Sequence, residues 1–166
     1  MDQPAVIIRH TTRDDADALR TLRLEALQDS PLSYGTTYEE AAAWSIDEWN
    51  DMADAETTFV AERDGALVGM ARGGRNDRED EATLHRWLWG MYVTPSARGD
   101  GTAGALVDAV AEWSRADGGT SLHLFVSTQA PRAKAFYERL GFRDDGDVVT
   151  HEDHPELQFQ PMGLVL

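Results

Sequence analysis

The stretch that most constrains this chain runs from Leu84 to Val126. A β-rich apolar run, Leu84 to Val93, leads through a turn holding Gly99 and Gly101 into Thr102 to Asp117. That second segment is an amphipathic helix with Ala103, Leu106, Val107, Val110 and Trp113 on one face. Gly118-Gly119 ends it, and Leu122 to Val126 follows as a compact apolar strand. Strand, crossover helix and strand in so short a span predict a mixed α/β sheet with βαβ character around residues 88 to 126. The 166 residues, 42% of them hydrophobic, suffice for one domain with a sizeable core, so 1–166 is expected to form a single unit.

The flanks fill in the remaining elements. Val6 to Arg9 suits a first strand, and Thr12 with Asp14-Asp15 reads as a helix start that continues through Leu19, Leu22 and Ala26. Ser30-Pro31 breaks that helix. Tyr38 to Ala43 and Ile46 to Ala53 form a second, interrupted helix carrying Trp44 and Trp49. Thr57 to Arg63 and Leu67 to Arg72 flank Asp64-Gly65, a strong hairpin signal. Gly73 to Glu81 is polar enough for a loop. Pro131 opens a helix with Ala133, Phe136, Tyr137 and Leu140 on one face, stopped by Gly141. Phe142 to Val149 and Leu157 to Val165 read as closing strands.

Composition narrows the function classes. With no cysteine there are no disulfides, thiolate metal sites or thiol nucleophiles. Thirty acidic residues against fifteen basic ones give a net charge of −15, which repels phosphate backbones and acidic lipid surfaces. Neither nucleic acid nor a membrane is expected as a partner, and a cationic amine would be attracted. No stretch reaches the roughly 20 apolar residues of a membrane span, and the N-terminus lacks a signal-peptide pattern, so a cytoplasmic location is expected. Fourteen of the basic residues are arginine and only Lys134 is lysine, a pattern that fits either salt adaptation or a GC-rich genome.

Glycines at 99, 101 and 104, between a strand and a helix N-terminus, let backbone approach a ligand while free N–H groups and the helix dipole favour an anion. The same glycines also suit a plain tight turn. A Walker loop is excluded, because it needs Gly-Lys and the only lysine is Lys134. A dinucleotide fingerprint fails as well, since the loop comes late and follows a hairpin.

The run Arg98-x-x-Gly101-x-Ala103, preceded by Val93-Thr94-Pro95 and followed by Leu106, resembles the Arg/Gln-x-x-Gly-x-Gly/Ala signature of the GCN5-related N-acetyltransferase (GNAT) family. Ala133-x-x-Phe136-Tyr137-Glu138-Arg139-Leu140-Gly141-Phe142 resembles a second motif of that family. The resemblance extends over nearly the whole chain. It departs at Ala130, where many members carry asparagine seven residues before the tyrosine.

The resemblance implies a GNAT-like α/β fold: a mixed, mostly antiparallel sheet of six to seven strands, about four helices, and central strands splayed at an acetyl-CoA site. It implies direct acetyl transfer to a primary amine of a small molecule or peptide, with acetyl-CoA as co-substrate and no metal. Met91, Tyr92 and Val93 on the strand, Arg98, Gly99, Asp100, Gly101, Thr102, Ala103 and Gly104 in the loop, and Ala130, Ala133, Phe136 and Tyr137 in the second motif would hold acetyl-CoA. Tyr137 is the expected general acid. His85 is the candidate base, with Glu81 and His123 as further candidates. Tyr34, Thr36 and Trp44 are the expected substrate wall. His151-Glu152-Asp153-His154 lies beside Pro155 in a loop and is not expected to bind metal. A homodimer would suit the family. A non-catalytic acetyl-CoA-binding regulatory module and a transferase of another acyl group stay open as alternatives.

Overall fold

The computed structural model describes residues 3–166. Its elements follow in the order β1 (Ile7–His10), α1 (Ala16–Asp29), α2 (Tyr38–Ala42), α3 (Ile46–Asp54), β2 (Thr58–Arg63), β3 (Ala66–Gly74) and β4 (His85–Val93), then α4 (Thr102–Ala116), β5 (Ser121–Ser127), α5 (Pro131–Arg139), β6 (Arg143–Asp144), β7 (Val149–Thr150) and β8 (Gln158–Val165). One sheet orders its strands β1-β2-β3-β4-β5-β8-β6, with β7 also paired to β8. All pairs are antiparallel except β4 and β5, which the α4 crossover joins in parallel.

The expected hairpin forms at Asp64-Gly65. Arg63 pairs with Ala66, and both turn residues have positive φ, 51° and 78°, the backbone that matches strand twist. Strand alternation then divides the core. Phe59, Ala61 and Ala71 face α4 and α5, alongside Leu106, Val110, Leu122, Tyr137 and Phe142, whereas Val60, Met70 and Tyr92 face α1 and α3, alongside Leu19, Leu22 and Ala53. Helices therefore cover both faces of the sheet.

The interrupted second helix is two helices. The chain leaves α2 at Ala43, and Ser45 restarts it as a capping box with Glu48, whose carboxylate accepts from the Ser45 amide at 2.6 Å. The strand expected over Phe142 to Val149 is a correction: only Arg143–Asp144 and Val149–Thr150 pair, around a bend at Gly146. Phe142 is the one fully buried side chain there, and the run Arg143-Asp144-Asp145-Gly146-Asp147 has no alternating apolar face to hold an unbroken strand.

Candidate active site

The parallel pair that α4 creates is short. His85, Arg86 and Trp87 pair with Ser121, Leu122 and His123, and there pairing stops, although β4 runs on to Val93 and β5 to Ser127. The register between β3 and β4 explains the divergence. Met70 pairs with Tyr92 and Arg72 with Trp89, so Gly90 and Met91 together oppose Ala71 in a bulge, with Gly90 at φ 60°. A bulge adds twist and bends its strand, here swinging the end of β4 away from β5. The result is a wedge through the sheet, with backbone groups of residues 88–93 and 124–127 along its two inner edges.

Three elements close around the wedge. The segment after α1, with a single helical turn at Pro31–Ser33, packs against β5. It carries Tyr34, whose hydroxyl donates to the Met91 carbonyl at 2.8 Å. Behind Tyr34, the His154 imidazole lies 3.2 Å from Glu40, and the His151 ring packs on Gly35. The His151 to His154 loop thus braces the segment containing Thr36, and among the described residues it forms no cluster able to hold a metal.

The glycine turn occupies the mouth. Gly99 and Gly101 have φ of 80° and 91°, a backbone other residues resist, so the tight-turn reading explains both. It does not explain Gly104, which lies inside α4 without a positive φ and would have open space around an added Cβ. Fold and packing leave that position unconstrained. The concavity beside the first N–H groups of α4 is what a bound anion would use.

The charges around this turn are already engaged. Arg98 reaches back to α1, donating to Asp29 at 2.6 Å and to the Val93 carbonyl at 3.1 Å. Asp100 pairs with Arg63 and accepts from the Thr102 amide at 3.0 Å; Thr102 and Arg63 hold its carboxyl down at about 2. The anion site expected from the sequence is thus a backbone site flanked by paired side chains, with Arg98 turned toward α1.

On the β5 side, Ala130 precedes Pro131 at the start of α5, and Ala133 and Phe136 pack on the core. The Tyr137 ring is 8% exposed and meets the Phe142 ring edge-on at 5.6 Å. No protein group among the described residues hydrogen-bonds its hydroxyl. Burial, with Tyr34 nearby, pushes its pKa above the ordinary tyrosine value.

The fold therefore brings together Met91, Tyr34, Tyr137 and the loop from Arg98 to Gly104. It does not bring His85 there. His85 starts β4, six residues before Met91, which is about 20 Å along a strand. Its ring lies tilted against that of His123, with centroids 4.3 Å apart, and contacts Glu79, and His123 in turn contacts Asp145 and Ser121. Glu81 is exposed in the loop before His85. Trp44 packs on Trp49 at 4.9 Å in the cluster between α1 and α3. One residue of the site was not anticipated. Arg23 sits four residues from both Leu19 and Leu27, on the buried stripe of α1, and a charge inside an apolar stripe was the available signal.

Residues 19–142 match the model of the acetyltransferase (GNAT) family. The chain is 28% identical over 142 residues to an uncharacterized N-acetyltransferase of Methanocaldococcus jannaschii, covering 82% of this chain and 60% of that protein. It is 30% identical over 148 residues to a mycothiol acetyltransferase of Acidothermus cellulolyticus, covering 83% and 44%. The chain thus spans only part of the curated relatives' lengths. Among solved structures, the yncA protein of Salmonella typhimurium with its cofactor acetyl-CoA superposes with a TM-score of 0.81 at 18% identity, covering 98% of this chain and 94% of that one. A ribosomal-protein-alanine N-acetyltransferase from Brucella melitensis superposes with a TM-score of 0.74 at 23% identity, covering 96% and 99%.

Proposed function

This chain belongs to the GNAT family of acetyltransferases, and from that premise we propose that it transfers acetyl from acetyl-CoA directly to a primary amine, with no covalent enzyme intermediate. The observation that carries this reading is the wedge between β4 and β5, with the open glycine turn at its mouth and Tyr137 at its side. When bound, acetyl-CoA supplies the activated acyl thioester. The amides of Ala103 and Gly104 would bind the pyrophosphate, helped by the positive end of α4. Backbone amides of Met91 and Val93 polarise the carbonyl as charge develops on its oxygen, an effect worth roughly 3–4 kcal/mol per donor in oxyanion holes. Tyr137 gives its proton to the departing sulfur. Its raised pKa keeps that proton in place until it is needed. With His85 and His123 at the far end of the sheet, the ammonium proton of the acceptor leaves to solvent before attack, and the second proton shed by the nitrogen as the amide forms restores the Tyr137 phenol.

Gly104→Glu tests the binding half of this reading. Glutamate replaces a helical glycine near the N-terminus of α4, which on propensity and dipole grounds raises fold stability by about 1 kcal/mol. The same side chain fills the concavity with bulk and negative charge. Calorimetry with acetyl-CoA should show binding by the wild type and a loss of at least about 100-fold in the variant, with an undiminished Tm. A folded wild type that binds no acetyl-CoA would remove the reading.

A further inference from the structure

Among the described residues, eight of the fourteen arginines hold a carboxylate in an ion pair, as expected where acids outnumber bases two to one. Arg23 does not, although it is the arginine for which a partner matters most. Its Nη1 is sealed from solvent and meets no hydrogen-bond acceptor. The guanidinium lies over the Tyr34 ring, 4.8 Å from the centroid, and its Nη1 lies 3.6 Å from where a Cβ at Gly90 would be. It is therefore held against the bulge that opens the wedge. Arg72, exposed on β3 where it pairs with Trp89 and also without an ion pair among the described residues, is close enough for its charge to oppose that of Arg23. A second unpaired guanidinium thus lies within electrostatic reach of Arg23 in a molecule of charge −15.

We propose that Arg23, with Arg72 beside it, binds a carboxylate on the acceptor, so that the amine acetylated is that of an α-amino acid or a close analogue. This rests on the wedge being the place of acetyl transfer. A buried guanidinium with unused N–H donors is costly and is relieved by a planar anion that accepts from its fork. Nη1 anchors the guanidinium against the Gly90-Met91 bulge, so an anion that accepts from its unsealed Nε and Nη2, which meet no protein acceptor among the described residues, lies close to the backbone expected to polarise the thioester. The acceptor nitrogen must then lie within a bond or two of the carboxylate carbon, the spacing of an α-amino acid. The acidic surplus attracts cationic amines at long range, and the local arginine pair selects among them for those that also carry an anion.

The test uses the intact protein loaded with CoA. Probes are the twenty common amino acids, their carboxamides and their decarboxylated amines, measured by calorimetry and by acetylation with acetyl-CoA. At least one acid is expected to bind about 100-fold more tightly than its carboxamide, the penalty for leaving a charged donor unpaired. Arg23→Met should bring that acid down to the level of its amide while leaving acetyl-CoA affinity unchanged, and Arg23→Lys should restore part of the difference. Amides or decarboxylated amines handled as well as the acids, or no acid bound at all, would overturn the proposal. Failure to bind acetyl-CoA would instead strike the acetyl-transfer reading. The acid-to-amide comparison is then made on the protein without CoA, where equal binding overturns the carboxylate site by itself.

Discussion

In the proposed reaction single residues carry the chemistry because their environments differ from water. Tyr137 packs against the Phe136 and Phe142 rings and, among the described residues, is bonded to no acceptor, so removing its hydroxyl leaves the packing intact. Tyr137→Phe should lower kcat by about 100-fold, in the range of general acid catalysis, with KM for acetyl-CoA nearly unchanged. A steady-state comparison of the two proteins checks it. Arg23 makes an opposite prediction for the fold. Breaking a buried ion pair usually costs about 3–5 kcal/mol, because a lone charge is left behind. Among the described residues Arg23 has no such partner, and burial pulls its pKa down. Arg23→Met should therefore stabilise the unliganded protein, by about 1 kcal/mol after allowing for the lost contact with Tyr34, as read by urea denaturation.

Elements are set in place by a few end contacts. Arg9 on β1 donates to Asp15, ahead of α1, at 2.8 Å and to Glu62 on β2 at 2.8 Å, tying the first strand to both neighbours. The bond from Arg9 holds the Asp15 carboxyl at about 2, against 3.8 when unperturbed. A depressed carboxylate contributes stability that is fully present above its unfolded pKa and is lost as pH falls through the folded value. Asp15→Asn should cost about 1–2 kcal/mol at pH 7, and the gap to wild type should close between pH 4 and pH 2 in parallel denaturation series. The capping box at Ser45 shows how much of an element is legible locally. Serine followed by glutamate three residues on marks a helix start in sequence and forms one in the structure. The run after Phe142 shows the limit: Phe142 to Val149 reads as a closing strand, but no buried face supports its middle.

Across the whole molecule the acidic surplus would act on both proposed ligands. Acetyl-CoA and an amino acid carboxylate would approach a surface of charge −15, and added salt would screen that repulsion over a Debye length of about 10 Å at 0.1 M. Raising NaCl from 0.02 to ~0.3 M should therefore lower KM for acetyl-CoA, the reverse of screening between opposite charges, as initial rates would show. The sequence by itself determined the hairpin at Asp64-Gly65, the βαβ unit, the glycine turn and the family motifs. Those follow from turn chemistry and periodicity, which act over a few neighbouring residues. Tertiary structure alone decided where β4 stops pairing with β5, because a bulge is set by register against β3. It also separated His85 from the wedge, turned Arg98 toward Asp29 and laid Arg23 over the bulge. Each of these joins or divides groups on different elements, and such contacts are fixed by packing and charge balance in three dimensions, which no local pattern of residues encodes.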